Sequence, residues 1–351
     1  MKETEDIKFM RRCLELASKA EGMTYPNPLV GSVIVYEGKI LGEGYHLRSG
    51  EPHAEVNAIN SVTDKAKLKF STLYVNLEPC SHFGKTPPCA DLIISNKIPR
   101  VVIGTTDTNE EVSGKGAKKL LDAGCEVKTG ILESECRRLN RRFFTFHEKR
   151  RPYITLKWAQ SADGFLDIKR AEDHGAEPTW ITGKPEKVLV HKWRASEQSI
   201  LVGAGTIRAD DPSLNVREWK GKDPLKLILS KSGSFNSRLT AGNTNSNVVV
   251  FTHNSQIEIP ASSKVVLLED RSSSLQISDY LYSIGIQSLF IEGGAEVLSH
   301  FISTGLWDVA RIFTGEEYFK DGVRAPDING ILFSKTVFSG SSLEVYLNNG
   351  C

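Results

Sequence analysis

Two consecutive α/β domains are the architecture that the sequence predicts. The chain has 351 residues, more than a single hydrophobic core usually accommodates, so two domains are expected. Short apolar segments typical of strands alternate with segments of helical periodicity, which indicates sheets covered by helices. The pattern restarts after the charged stretch His147–Arg151 and Pro152. We therefore expect one domain over residues 1–147 and a second over residues 152–351.

The first domain is predicted to begin with a helix and a β-hairpin. Apolar residues at helical spacing favour a helix over Ile7–Ala20. Val30–Tyr36 and Ile40–His46 then form two strand-like runs across the turn Glu37-Gly38. The later predicted elements are a helix starting at His53, a strand Leu73–Leu77, a helix Cys89–Asn96, a strand Val101–Gly104, and the helices Gly116–Ala123 and Glu133–Phe146.

The second domain shows the same alternation. Ser230–Asn247 is rich in Ser, Asn, Gly and Thr and is predicted to be a loop. Helices are expected over Leu275–Ile284 and Val297–Leu306. The predicted strands are Ile154–Ala159, Ser199–Gly203, Leu225–Leu229, Asn247–Thr252, Lys264–Leu268 and Ser288–Ile291.

The composition favours an enzyme over a nucleic-acid-binding or membrane protein. The 44 Lys and Arg residues nearly balance the 43 Asp and Glu residues, so no basic footprint for nucleic acid stands out. No window reaches the roughly 18 consecutive apolar residues of a membrane span, and the charged segment Met1–Met10 fits no signal peptide. The six cysteines are interpreted as thiols. We expect a cytoplasmic enzyme of a small molecule and leave open whether it forms a homo-oligomer.

The sequence His53-Ala54-Glu55, followed by Cys80 and Cys89, carries the clearest chemical pattern. One imidazole and two thiols suit Zn²⁺, and three protein ligands leave the fourth tetrahedral position to water, as in catalytic zinc sites. Zinc lowers the pKa of such a water to about 7. Glu55 would then move protons instead of binding the metal. The pattern predicts a zinc-dependent deaminase. The alternative is a structural zinc in a non-enzyme protein, but such a site has no need of Glu55.

The spacing of the two cysteines departs from the general deaminase signature. That signature contains Cys-x-x-Cys, whereas eight residues separate Cys80 from Cys89. The loop between them, together with segments before and after it, closely resembles the deaminase half of the bifunctional riboflavin-biosynthesis deaminase–reductase family. The segments that carry this resemblance are Thr24-Tyr25-Pro26-Asn27-Pro28-Leu29-Val30-Gly31, Gly44-Tyr45-His46, Ser81-His82-Phe83-Gly84-Lys85-Thr86-Pro87-Pro88, Asp107, Gly114-Lys115-Gly116 and Leu139-Asn140-Arg141-Arg142-Phe143.

This resemblance implies a cytidine-deaminase-like α/β/α sandwich. The implied reaction is hydrolytic removal of the 2-amino group from 2,5-diamino-6-(5-phosphoribosylamino)pyrimidin-4(3H)-one, a phosphorylated pyrimidine. By the family's motifs, Asn27 would hold the pyrimidine, while His46 and Lys85 would approach the substrate. Lys85 would supply a cation for the phosphate. Substrate contact and support of the loop both stay open for His82.

The second half contains two glycine motifs. Gly203-Ala204-Gly205 has no third glycine at position 208, so a Rossmann fingerprint is not met. In Ile291-Glu292-Gly293-Gly294-Ala295-Glu296 an apolar strand leads through a glycine turn into a helix. Free N–H groups at such a helix start can bind phosphate oxygens, although a turn without any ligand is an equal alternative.

The second half is similar to the reductase half of the same family. The segments that carry this resemblance are Leu156-Lys157-Trp158-Ala159-Gln160-Ser161-Ala162-Asp163-Gly164, Trp180-Ile181-Thr182-Gly183, Val202-Gly203-Ala204-Gly205-Thr206, Asp210-Asp211-Pro212-Ser213-Leu214-Asn215-Val216-Arg217 and Glu292-Gly293-Gly294. The implied fold is a dihydrofolate-reductase-like α/β domain. The implied reaction reduces the ribosyl chain to ribityl with NADPH.

The resemblance also implies two sets of contacts in this half. The implied NADPH contacts are Ala159, Trp180, Thr206, Asp210, and Gly294 and Ala295 at the start of the helix Gly294–His300. The implied substrate contacts are Lys157, Arg194, Leu214, Arg217 and Glu292, and either arginine can fork onto a phosphate. Lys157, Asp210 and Glu292 are unranked candidates to assist hydride transfer. Ser230-Lys231 departs from the family pattern, and this leaves a deaminase with a non-catalytic second half as an alternative.

Overall fold

The computed structural model describes residues 2–81, 87–108, 114–169, 179–233, 248–257, 263–270 and 272–350. The chain divides into two compact units, Met1–Arg150 and Arg151–Cys351. Within the described residues, no helix is long and apolar enough to cross a membrane.

The first unit is a five-stranded sheet with helices. Its strands are β1 (Gly31–Tyr36), β2 (Lys39–Tyr45), β3 (Thr72–Leu77), β4 (Arg100–Thr105) and β5 (Glu126–Lys128). Its α-helices are α1 (Lys2–Ser18), α2 (Ala54–Ser61), α3 (Cys89–Ser95), α4 (Lys115–Asp122), α5 (Glu133–Leu139) and α6 (Arg141–Lys149), and Lys65–Phe70 forms a 3₁₀-helix.

The strands of this sheet are ordered β2-β1-β3-β4-β5. The hairpin β1–β2 closes at the pair Tyr36↔Lys39, and both turn residues, Glu37 and Gly38, have positive φ. Such a two-residue turn matches the right-handed twist of its strands. The strands β3, β4 and β5 are parallel. Since parallel strands all end at one edge, the segments that follow β3 and β4 meet there.

One predicted helix of the first unit is wrong as a single element. Glu133–Phe146 is divided into α5 and α6 at Asn140, which has φ −96° and ψ 20°. The buried Asn140 side chain accepts a hydrogen bond from the Leu29 N–H at 2.7 Å and donates one to the Leu29 carbonyl at 2.9 Å. Asparagine side chains often hydrogen-bond to backbone groups in non-helical conformations. Here the bonds to Leu29 are made at the residue where α5 ends and α6 begins.

The second unit is built on a nine-stranded sheet and a small ribbon. Its strands are β6 (Tyr153–Gln160), β7 (Phe165–Ile168), β8 (Ser199–Gly203), β9 (Leu225–Leu229), β10 (Val248–Thr252), β11 (Ser263–Leu267), β12 (Ser288–Ile291), β13 (Val309–Gly315), β14 (Gly322–Arg324), β15 (Gly330–Phe338) and β16 (Ser341–Asn348). Its helices are α7 (Lys184–Ser196), α8 (Ala204–Asp210), α9 (Ser273–Ser283) and α10 (Ala295–Ser303).

The large sheet of the second unit has the order β11-β10-β9-β8-β12-β6-β13-β16-β15. It is parallel from β11 to β13 and antiparallel at β16 and β15. Fully buried runs such as Ser199–Gly203 fit central parallel strands with both faces covered. The ends of β6, β8, β9 and β12 therefore lie side by side at one edge of the sheet.

Candidate active sites

The three predicted zinc ligands converge in the first unit. His53 precedes α2, Cys80 follows the end of β3, and Cys89 opens α3. His53 Nδ1 lies 3.6 Å from Cys80 Sγ and 3.3 Å from Cys89 Sγ, and the three ligand atoms lie within 4.8 Å of one another. One nitrogen and two sulfurs at this separation form a donor set that fits Zn²⁺.

The two thiols differ in protonation. A hydrogen bond from Cys89, together with others from His53 and the Cys89 backbone N–H, lowers the pKa of the Cys80 thiol to about 4. The neighbouring Cys80 thiolate and burial raise the pKa of Cys89 well above its usual range. Cys80 is therefore ready to bind a cation as a thiolate, whereas Cys89 has to lose its proton when a metal binds.

Glu55 lies in the first turn of α2, two residues past His53, and is only 3 % exposed. Burial, with a contribution from the negative charge of Cys80, raises the pKa of its carboxyl to about 7. A carboxyl group poised near neutral pH can both accept and return a proton. This is the property that a proton-transferring residue beside a zinc site requires.

A hydrogen-bonded chain joins Pro52, His46 and Asn27 next to the ligand cluster. His46 Nδ1 lies 3.2 Å from the Pro52 carbonyl, and its Nε2 lies 3.0 Å from Asn27 Nδ2. A carbonyl only accepts, so Nδ1 carries the proton and Nε2 accepts from the Asn27 amide. Burial lowers the pKa of His46, which favours this neutral form. The other two predicted substrate contacts, His82 and Lys85, lie outside the described residues.

The second unit contains a cavity of about 960 Å³ at the edge where its parallel strands end. The starts of α8 and α10 face it, and two glycines keep these helix starts close together. A Cβ on Gly293 would lie 3.1 Å from Thr206 Oγ1, and one on Gly203 would lie 2.9 Å from Val297 Cγ2. Two helix N-termini beside glycine backbone form a setting for a pyrophosphate. The cavity therefore fits a dinucleotide such as NADPH.

Seven of the predicted reductase-site residues line this cavity. They are Lys157, Ala159, Thr206, Asp210, Glu292, Gly294 and Ala295. Burial lowers the pKa of Lys157, although the charge of Glu292 opposes that shift. Glu292 itself is held by Arg194 through two bonds of 2.6 and 2.7 Å. Burial raises the Glu292 pKa, but Arg194 more than offsets this, so the pKa falls below its usual value.

The other four predicted residues, Arg194, Trp180, Leu214 and Arg217, do not line the cavity. Trp180 is 61 % exposed, and the Lys187 ammonium lies 4.9 Å from its ring centroid. Leu214 is buried in an apolar cluster that includes Ile200. Arg217 is exposed, and its guanidinium donates to Asn215 Oδ1 at 2.9 Å. Arg194 donates to the carbonyl of that same asparagine at 3.1 Å, so the two arginines approach one segment.

Sequence reasoning missed one buried polar residue of the first unit. In the first unit, buried Asn76 accepts from the Gly31 N–H at 2.7 Å and donates to the Leu29 carbonyl at 2.9 Å. A polar residue inside the otherwise apolar strand β3 was the available signal. In the second unit, Ser230, Lys231 and His300 also line the cavity.

Comparison with known proteins decides the family. The riboflavin biosynthesis protein RibD of Aquifex aeolicus is 41 % identical over 328 residues, which cover 92 % of this chain and 90 % of that protein. The protein of the same name from Bacillus amyloliquefaciens is 42 % identical and covers 96 % of this chain and 88 % of its own length. The chain belongs to the RibD family.

Two family models and two solved structures agree with this assignment. Residues 3–105 match the cytidine and deoxycytidylate deaminase zinc-binding region, and residues 152–315 match the RibD C-terminal domain. A Thermotoga maritima diaminohydroxyphosphoribosylaminopyrimidine deaminase/5-amino-6-(5-phosphoribosylamino)uracil reductase is 35 % identical, with a TM-score of 0.88 over 99 % of this chain and 100 % of that one. RibD of Acinetobacter baumannii is 30 % identical, with a TM-score of 0.85 over 98 % and 99 % of the two chains.

Membership in the RibD family confirms several predictions from the sequence. The chain is a bifunctional enzyme of riboflavin biosynthesis with a cytidine-deaminase-like unit and a reductase unit. The predicted cofactors, zinc and NADPH, are those of its two units. The non-enzyme alternative is therefore wrong, as is the alternative of a non-catalytic second half.

Proposed function

We propose that this chain carries out two consecutive steps on one phosphorylated pyrimidine. The first removes the 2-amino group of 2,5-diamino-6-(5-phosphoribosylamino)pyrimidin-4(3H)-one with water and releases ammonia. The second reduces the ribosyl chain of the resulting 5-aminouracil to ribityl with NADPH. The observation that carries the proposal is the convergence of His53, Cys80 and Cys89 beside Glu55, in a chain whose other unit has a dinucleotide-sized cavity. The substrate is supported by the similar Thermotoga maritima protein, a diaminohydroxyphosphoribosylaminopyrimidine deaminase.

In the deamination, His53, Cys80 and Cys89 would hold the zinc ion. When bound, zinc makes a hydroxide nucleophile available at neutral pH. Glu55 takes up the proton that water gives up and delivers it to the departing amino group, so that carboxylate and carboxylic acid alternate during one turnover. Its burial and raised pKa support both halves of this role.

Asn27 is the residue that we propose to hold the pyrimidine. Its amide nitrogen is committed to His46 Nε2, which fixes the orientation of the amide group. We therefore propose that His46 orients the substrate through Asn27. His46 also lies near the zinc site, because its ring centroid is 5.5 Å from that of His53. Lys85 stays a predicted contact of the phosphoribosyl group, and His82 stays a predicted contact of the substrate or support of the loop.

In the reduction, the cavity residues would hold NADPH, which would supply the hydride when bound. Gly294 and Ala295 at the start of α10, with Thr206 in α8, are proposed to hold the pyrophosphate, and Ala159 and Asp210 to make further cofactor contacts. Trp180 and Leu214 stay predicted contacts of the cofactor and the substrate. Arg217 is proposed to bind the substrate phosphate, because its exposed guanidinium can fork onto two oxygens.

Lys157 is better supported than Glu292 as the proton donor to the ribosyl ring oxygen. Burial lowers the pKa of its ammonium group, which makes it a better acid. Glu292 is bound by both arms of Arg194 and has a lowered pKa, so it is a carboxylate without a proton to give. We therefore propose that Glu292, held in place by Arg194, orients the substrate in the cavity.

The experiment follows ammonia release and NADPH oxidation separately with purified zinc-loaded protein. The diaminopyrimidine phosphate should yield ammonia without NADPH, and NADPH should be oxidised only after ammonia has appeared. The deaminated substrate, supplied directly, should oxidise NADPH without releasing ammonia. Absence of oxidation with that substrate would refute the reductase assignment, and absence of ammonia would refute the deaminase assignment.

We also propose that the chain forms a homo-oligomer. Strand β15 is the last strand of the described sheet and pairs on one side with β16. Its apolar side chains Ile331, Leu332, Phe333 and Val337 are 50–76 % exposed. Long apolar edge strands usually pair with another chain or are protected, and the partner that we propose is a second copy of this chain.

A further inference from the structure

Glu78 is a buried carboxylate, 5 % exposed, that belongs to neither the zinc ligands nor the proton-transfer machinery. Its two oxygens accept four backbone hydrogen bonds. Oε2 accepts from Asp107 N at 3.2 Å and from Gly114 N at 3.0 Å. Oε1 accepts from Gly116 N at 2.9 Å and from Ala117 N at 3.0 Å. One side chain thus joins the segment after β4 to the first turn of α4.

This carboxylate is only two residues before the zinc ligand Cys80, at the end of β3. The Glu78 N–H donates to the Thr105 carbonyl at the end of β4, at 3.0 Å. On the other side of the ligand, the Cys80 carbonyl accepts from Ala90 N at 3.1 Å. Cys80 is therefore held between α3 and the Glu78 anchor.

The start of α4 also packs directly on the peptide that leads into Cys80. A Cβ built on Gly116 would lie 2.0 Å from the Pro79 carbonyl oxygen. Real Cβ atoms do not approach so closely, so any side chain there would push the Pro79–Cys80 peptide away. The hydrogen bonds of Glu78 and the close contact of Gly116 thus both hold the start of α4 against the Pro79–Cys80 peptide.

A side chain with this bonding is unsuited to proton transfer. All four bonds are donated to it by backbone N–H groups, so both of its oxygens are already occupied as acceptors. A side chain that only capped helix α4 would not need the bond from Asp107. Glu78 instead connects three segments, which are its own position after β3, the segment after β4 and the start of α4. Partners one step removed from a metal ligand commonly set metal affinity and geometry.

We infer that Glu78 is a positioning residue of the deaminase, which fixes Cys80 in its metal-binding position by anchoring β3 to α4 and to the segment at Asp107. This inference rests on the proposed zinc-dependent deamination. It concerns a residue that acts through Cys80 and does not touch the substrate.

The test compares Glu78→Gln with wild type in the full chain. The amide keeps the size of the side chain, but its nitrogen cannot accept, so two backbone N–H groups lose their partner. Zinc affinity, measured by competition with a chromogenic chelator, should fall about 10- to 100-fold. The kcat of deamination should fall while KM stays near the wild-type value, because the proposed pyrimidine contact Asn27 is untouched. The Co²⁺-substituted protein should show a changed thiolate-to-metal absorption band.

Gly116→Ala perturbs the contact between α4 and the Pro79–Cys80 peptide from the helix side. It tests the positioning role if the Glu78→Gln variant does not fold. It should weaken zinc binding and change the Co²⁺ spectrum in the same direction. Asp6→Asn is the matched control, since Asp6 is equally part of the first unit, 1 % exposed and bonded to Arg100, Lys128 and Tyr74. It should lower stability without changing zinc affinity or the spectrum.

The outcomes separate the inference from the proposed function. Wild-type protein that neither binds zinc nor releases ammonia would overturn the proposed function. Wild-type protein that does both, together with Glu78→Gln or Gly116→Ala variants that keep wild-type zinc affinity and cobalt spectrum, would overturn the positioning role alone. NADPH oxidation with the deaminated substrate should be unchanged in every variant, which reports that the second unit is intact.

Discussion

Asn27 Nδ2 donates a hydrogen bond to His46 Nε2 at 3.0 Å, and the other ring nitrogen of His46 donates to the Pro52 carbonyl. The two residues are 19 positions apart in sequence, in the loop before β1 and just after β2. The histidine, 2 % exposed, thereby sets which way the asparagine amide faces. The proposed recognition of the pyrimidine by Asn27 therefore depends on this pair.

Replacing His46 by Phe should therefore impair deamination without removing zinc. The Asn27 amide loses its acceptor, and an unmade buried hydrogen bond costs about 1–3 kcal/mol. We expect kcat/KM to fall about tenfold or more, with zinc content unchanged by metal analysis. His46→Gln, which offers both a donor and an acceptor, is the control and should retain more activity. Wild-type kcat/KM in the Phe variant would contradict the role of the pair.

Asp6 predicts a pH-dependent contribution to stability. Burial raises its pKa, but hydrogen bonds from Arg100, Lys128 and Tyr74 outweigh burial, so the pKa lies below the usual value. A carboxyl group with a lowered pKa in the folded state stabilises the protein above its unfolded pKa, and this contribution is lost as pH falls through the folded pKa.

Asp6→Asn should therefore lower the stability of the first unit by about 1.5–3 kcal/mol at pH 7, because it removes the charged acceptor of the hydrogen bonds from Arg100 and Lys128. The difference from wild type should shrink as the pH falls below about 4. Calorimetric unfolding of the full chain at several pH values measures this, with the transition of the second unit as the internal reference. A difference that does not change with pH would contradict the assignment to the Asp6 charge.

Gly293→Ala should weaken NADPH binding. The added methyl group would lie 3.1 Å from Thr206 Oγ1, between the starts of α8 and α10. Overpacking of this kind costs about 1–3 kcal/mol, which corresponds to a rise in Kd of roughly 5- to 150-fold if the cost falls on the bound state. Titration calorimetry with NADPH gives the Kd directly. Ammonia release by the same variant should be normal, and an unchanged Kd would place the cofactor elsewhere.

Val337→Lys should shift the protein toward the monomer. Val337 is 76 % exposed on the edge strand β15, so a cation there should cost little stability in the single chain and should oppose pairing of two copies. Val188→Lys, at a 36 % exposed position of α7, is the matched control. Light scattering over a range of concentrations measures the mass. Identical masses for both variants and wild type would contradict an interface at β15.

The sequence was sufficient to predict the elements that depend on short-range patterns. The glycine turn at Glu37-Gly38 and the buried runs Ser199–Gly203 and Ser288–Ile291 appear where apolar periodicity and turn residues placed them. The ligand set His53, Cys80 and Cys89 could be recognised because each residue lies next to a strand or helix end that the local sequence marks.

Long-range polar contacts could not be predicted in this way. The Glu78 carboxylate finds its four donors 29 to 39 residues later in the chain, and Asn140 interrupts a helix to bind a backbone 111 residues away. Local periodicity contains no information on such partners. Family motifs likewise give the position of Leu214 in sequence, but only the packing shows that its side chain points into an apolar cluster.

The central claim is that one chain holds a zinc site for deamination, operated by Glu55, and an independent reductase site. The most direct test is ammonia release by a Glu55→Gln variant whose zinc content has been measured. We predict one zinc ion per chain, ammonia release reduced by at least about 100-fold, and normal NADPH oxidation with the deaminated substrate. Ammonia release at the wild-type rate from the zinc-loaded variant would contradict the account.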